Sequence, residues 1–122
     1  MGTRYKELIV WQKSILLVKH IYSTTLSFPK NELFGLVSQM RRAAVSIPSN
    51  IAEGHARDTP GEYAQFIAIA QGSLAELDTQ MIIANDIGYL TEQQYETFLP
   101  LHDEVSRMLS SLKTKIKSLK NT

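Results

Sequence analysis

Apolar residues return every three or four positions along almost the whole chain. Leu8, Trp11, Ile15, Val18 and Tyr22 form one such series, and Leu33, Val37, Met40, Ala44, Ile47 and Ile51 a second. Tyr63, Ile67, Ala70, Leu74, Leu77, Met81 and Ala84 form a third; Tyr95, Phe98, His102, Val105, Leu109, Leu112, Ile116 and Leu119 form a fourth. Residues at this spacing share one face of a helix. The pattern therefore predicts four helices, at about residues 6–27, 30–54, 60–87 and 92–119. The last three, at about 25 residues each, would be roughly 40 Å long.

The residues between the series are those that start and stop helices. Pro29 follows Phe28 at the first junction and suits a helix start. Gly54 is placed to end the second helix. Thr59-Pro60-Gly61-Glu62 and Thr91-Glu92-Gln93-Gln94 have the spacing of capping boxes, and Gly88 closes the third helix. Short connections make neighbouring helices antiparallel. The expected fold is all-α, one domain over residues 1–122, an up-down-up-down four-helix bundle. Two prolines interrupt the pattern. Across Pro48 the apolar series stays in register from Ala44 and Ile47 to Ile51, which predicts a kinked helix and not a loop. Ser49 and Asn50 offer donors to backbone groups freed by the proline. Pro100 predicts either a kink or a separate first segment in the fourth helix.

The faces opposite two of these series are unusual. On the second helix they carry Gly35, Ser38, Arg42, Ser46, Ser49 and Glu53, and on the third Ala68, Gly72, Ala75 and Thr79. A solvated face would be rich in Lys and Glu. Small residues flanked by Ile69, Ile82, Ile83 and Ile87 instead suggest a buried contact between copies. Ser38, Arg42, Ser49, Ala68, Gly72, Ala75 and Ile83 are the expected oligomer contact. The competing reading has Ile82 and Ile83 covered by the fold itself.

Composition narrows the function classes. The chain has 122 residues, 43% hydrophobic and 20% charged, which suits one globular domain. It has no cysteine, so disulfides and thiolate metal sites are excluded and a cytoplasmic location fits. Charges interrupt the first apolar run, unlike a signal peptide, and no run approaches the ~18 residues of a membrane span. The net charge of +1 is weak for a dedicated nucleic-acid binder, unless an assembly lines up its basic residues.

Candidate chemistry is sparse. There is no Glu-x-x-His, no His-Glu-x-x-His, no Arg-x4-His, no glycine-rich phosphate loop and no Gly-x-Ser-x-Gly. Glu53, Asp58, Glu62, Glu76 and Asp78 are the carboxylates available to a metal, but Glu76 with Gln80 one turn on reads as a polar pair making an interhelical hydrogen bond, not a ligand set. His102 lies on a core series and reads as a boundary histidine. No enzyme activity, cofactor, metal or small-molecule substrate is expected. The basic residues form two groups, Arg41 with Arg42 and Lys113 with Lys117 and Lys120. Repetition around a ring would make either a phosphate-binding surface. Helix-dipole stabilisation alone also accounts for the lysines.

Three stretches carry a resemblance: VWQKS at Val10–Ser14, the run Ile21–Arg57 containing SQMRRAAVSIPSNIAEG, and Glu62–Leu90 containing GSLAELDTQ. They resemble the four-helix-bundle proteins encoded in intervening sequences of bacterial 23S ribosomal RNA genes, a family that includes the accessory variability proteins of diversity-generating retroelements. The resemblance implies a homopentameric barrel. For the retroelement members it implies binding of nucleic acid and of a reverse transcriptase, without enzymatic activity. Those members are strongly basic, which this chain is not, and Pro100 departs from their unbroken last helix. The combined expectation is a non-enzymatic homo-oligomeric scaffold for structured RNA or DNA, or for a nucleoprotein partner such as a reverse transcriptase complex. The alternative is an oligomeric protein-interaction module with no nucleic-acid role.

Overall fold

The computed structural model describes residues 4–119, which are helical apart from turns and short links. A 3-10 turn at Tyr5–Glu7 leads into α1 (Ile9–Thr25). A 3-10 turn at Lys30–Glu32 and a π-helical turn at Leu33–Val37 lead into α2 (Ser38–His55). Then come α3 (Pro60–Asp86) and α4 (Glu92–Leu119). Contacts join α1 to α2, α2 to α3, α3 to α4 and α4 back to α1, so the helices stand around a square. Successive helices run antiparallel, giving the up-down-up-down four-helix bundle.

The core is the axis of that square. Leu17 and Ile21 of α1, Met40, Ile47 and Ile51 of α2, Ile67, Leu77 and Met81 of α3, and Phe98, Val105 and Leu109 of α4 are fully buried. Each such side chain contributes about 1.5–3 kcal/mol relative to exposure. In α2, α3 and α4 the buried face is the one the periodicity marks. In α1 it is not. Tyr22 is exposed and Leu8, Trp11 and Val18 are only partly buried, while Val10, Ser14, Leu17, Ile21 and Thr24 face inward. Both series have helical spacing, and Ser14 and Thr24 disguise the inner one, with Thr25 buried beside it. Ser14 Oγ donates to the Trp11 carbonyl at 2.7 Å and Thr25 Oγ1 to the Ile21 carbonyl at 2.8 Å, so these polar groups are buried with partners.

The caps follow the sequence. Thr59 Oγ1 accepts from the Glu62 N–H at 3.2 Å, with Pro60 as the first residue of α3. At α4 the box is reciprocal: Thr91 Oγ1 accepts from Gln94 N–H, and Gln94 Oε1 accepts from Thr91 N–H. The end of α3 is a Schellman turn. Tyr89 N–H reaches the Ala84 carbonyl at 2.9 Å, and Gly88 takes φ +83°, a conformation that favours glycine.

Neither proline opens a loop, as the unbroken apolar register across Pro48 predicts. α2 stays helical through Pro48, whose buried ring lines a groove against Trp11 and Val18 of α1. Asn50 serves Ser46, donating to its carbonyl at 2.7 Å and its hydroxyl at 2.9 Å, and not the Ala44 carbonyl that Pro48 frees. Helical dihedrals are lost at Gly35, with φ −111° and ψ −110°. α4 runs unbroken through Pro100, which is exposed, as is Glu96, the residue whose carbonyl loses its partner. Gly54 does not end α2. It lies where a Cβ would come within 2.7 Å of Phe66 Cβ and 2.9 Å of Tyr63 Cδ1. Its missing side chain lets α2 and α3 close together beside their connection.

Candidate functional site

The outer face of α3 is uncovered in the protomer. Ala68, Gly72, Ala75 and Thr79 are exposed, and a Cβ on Gly72 would meet nothing within 4 Å. Ile82 and Ile83 are 43% and 46% exposed, with Ile69 and Ile87 more so, so the fold does not cover them. Ser49 on α2 is also exposed. Ser46 turns toward α3, where its hydroxyl shares a 2.8 Å hydrogen bond with Ser73 Oγ.

The basic residues do not gather into one surface. Arg41 is committed to the α1–α2 seam: Nε donates to Thr25 Oγ1 at 3.0 Å and the guanidinium lies 4.6 Å over the Tyr22 ring. Arg42, its neighbour in sequence, is exposed. Lys113 donates to Gln71 Oε1 at 3.2 Å, across the α3–α4 seam, and Lys117 is exposed one turn later. Lys120 lies outside the described residues. α2 and α4 stand diagonally across the square, so Arg42 and Lys113 occupy opposite flanks of α3, and Arg41 faces α1. Lys13 is paired with Glu104 at 3.1 Å and Arg57 with Glu53 at 3.9 Å.

Arg42 is nevertheless part of a built feature that periodicity does not reveal. A cleft of about 380 Å³ opens between the start of α2 and the middle of α3. Arg42, Ser38, Gln39 and Ser46 line it from α2, Ser73 and Glu76 from α3, and Phe34 from the turn before α2. Phe34 is 93% exposed. The break at Gly35 places it there: an unbroken helix would keep one series through residues 33–37, whereas here Val37 is buried and Leu33 and Phe34 stand out. Glu76 is held from below, since Gln80, only 5% exposed, donates Nε2 to Glu76 Oε2 at 3.3 Å. Gln80 Oε1 is a buried oxygen without a partner. The Glu76–Gln80 pair thus lies within α3 and does not bridge two helices.

The turn carrying Phe34 is anchored on its other side. Glu32 accepts the Leu36 N–H at 3.4 Å and the Tyr89 hydroxyl at 2.8 Å. That hydrogen bond, then burial, then the Glu32 charge, push the Tyr89 phenol above its usual pKa. The Tyr63 phenol at the far end of α2 is also pushed up, by burial. His102 sits at the α3–α4 boundary, 3.8 Å from Asp78 and 3.1 Å from Asp103. Among the described residues no three His, Asp or Glu side chains converge as a metal site would require, and no helix is long and apolar enough to cross a membrane.

No curated protein matches the sequence. Among solved structures the chain is similar to a protein of unknown function from the S23 ribosomal protein family of Bacteroides thetaiotaomicron VPI-5482. The TM-score is 0.80 at 20% identity, over 92% of this chain and 99% of that one. This likeness concerns the fold. The family model described as 23S rRNA-intervening sequence protein matches residues 6–111. With most of its length under that match, the chain belongs to the family of 23S rRNA-intervening sequence proteins.

Proposed function

We propose that the protein is a non-enzymatic, homo-oligomeric scaffold that binds structured nucleic acid or a nucleoprotein partner. The uncovered outer face of α3 carries the assembly half of this reading. Its small residues admit a second backbone closely, and the isoleucines around them remain half in water in the isolated protomer. A ring of copies, five by the family resemblance, would bury them and repeat Arg42 and Lys117 at regular intervals. That repetition supplies the positive potential a single protomer with +1 net charge lacks. The family's link to ribosomal RNA genes supports RNA as the partner.

One observation favours a second reading, an oligomeric protein-interaction module. Arg41, Lys113, Lys13 and Arg57 are already engaged within the protomer, which leaves fewer cations for phosphate. Light scattering separates the two. The scaffold predicts a multiple of the 13.8 kDa chain mass that grows when a structured RNA is added at low salt and shrinks back at high salt. An oligomer indifferent to RNA selects the interaction module, and a monomer rejects both. Gly72→Leu gives the sharper check on the contact. The added side chain has open space in the protomer, so helicity should hold while particle mass falls toward the monomer; an unchanged mass rejects the contact.

A further inference from the structure

We infer that the cleft between α2 and α3 binds a single unpaired guanine nucleotide of an RNA strand, stacked on Phe34 and read by Arg42 and Glu76. The inference rests on the nucleic-acid reading above and gives it a site. The cleft volume of about 380 Å³ falls within the roughly 300–1,000 Å³ of small-ligand pockets. Its rim carries an aromatic ring that packs on almost nothing. A phenylalanine 93% exposed forgoes most of its burial energy, and a base stacked on it recovers that energy whatever the sequence.

The polar groups set which base. Among the described residues Arg42 makes no ion pair, and Glu76 shares the cleft without being bonded to it. Guanine presents two adjacent donors, N1–H and N2–H, on its Watson–Crick edge, and two acceptors, O6 and N7, on the neighbouring edge. A carboxylate accepts the first pair and a guanidinium donates to the second. Adenine, cytosine and uracil offer no adjacent pair of donors for the carboxylate. Gln80 restrains one Glu76 oxygen, and the Ser46–Ser73 hydrogen bond braces the α2 and α3 walls against each other, so the carboxylate and the walls are positioned in advance. A base inside a duplex has neither its face nor its Watson–Crick edge available, so the strand must be unpaired at this position.

The test is fluorescence anisotropy of the full chain with two labelled RNA heptamers, UUUGUUU and UUUUUUU, at ~150 mM salt to suppress phosphate-only binding. The wild type should prefer the guanine-containing strand about fivefold to a hundredfold. Phe34→Ala should weaken binding of the guanine strand at least about fivefold, and Phe34→Trp should restore it. Glu76→Gln should bring the two affinities together. Equal affinities for the two heptamers, or indifference to Phe34→Ala, overturn the site. If structured RNA still binds in that case, the scaffold reading survives alone. Failure of every RNA to bind removes both.

Discussion

At its C-terminal end α2 approaches α3 so closely that a Cβ on Gly54 would lie 2.7 Å from Phe66 Cβ. At its N-terminal end, Gly35 leaves helical geometry and Phe34 stands 93% exposed. Both ends depend on a glycine, for opposite reasons. Gly54 removes a side chain so that two helices can close. His55 packs edge-on to Tyr63, with ring centroids 5.7 Å apart, and the Arg57 guanidinium lies 4.7 Å over Phe66 to finish that junction. Gly35 breaks the helical path so that one side chain can leave the core series, and Glu32 then ties the displaced turn to Tyr89. One end spends its sequence on packing. The other leaves an apolar ring in water beside the cleft.

Substitutions can break this contrast, the largest effect first. Gly54→Ala forces a Cβ into Phe66 and Tyr63 and should cost about 2–3 kcal/mol, an apparent melting-temperature drop of roughly 10 °C. A drop of about 1 °C or less would mean that the two helices can part there freely. Tyr89→Phe removes the bond that anchors the turn at the other end. Because the Tyr89 pKa is raised in the folded state, its contribution is fully present below the free phenol value of about 10 and is lost as pH rises through the folded value. Denaturant titrations should therefore show a gap between wild type and variant that is constant at neutral pH and narrows above about pH 10. Phe34→Ala should leave stability within about 0.5 kcal/mol of wild type while altering RNA binding. A large loss of stability would show that Phe34 is packed in solution, and the two ends would then not differ in kind.

Much of the bundle was legible because its signals are local and repeated. Met40, Ala44, Ile47 and Ile51 announce their face by spacing, and Thr59, Thr91 and Gly88 announce the ends of helices by chemistry that needs no tertiary context. α1 was misread because it is apolar on several sides, so that Trp11–Ile15–Val18 and Val10–Leu17–Ile21 carry equal helical signal. Only packing against α2 and α4 decides between them, and it buries Val10, Leu17 and Ile21. The cleft was legible only in pieces. Arg42 and Glu76 each stood out, but their meeting depends on the register of α2 against α3. Phe34 gave no signal, since a single aromatic next to a glycine has no period to violate. Helical position separates Arg41, beside the core series, from Arg42 on the outer face, but does not show that Arg41 stacks on Tyr22 or that Arg42 lines a cleft.

The square of helices also has a history in time. α1 is flanked by α2 and by α4, and Lys13 meets Glu104 across the closing seam. At roughly 5–20 residues per second, the ribosome finishes α4 about 5–20 seconds after α1 emerges. Throughout that interval α1 can lean on α2 alone, with one apolar flank bare. A young chain is therefore sticky until its α4 has emerged, and on a polysome, where many such chains crowd together, that is also when a neighbour's α4 could take the place of its own.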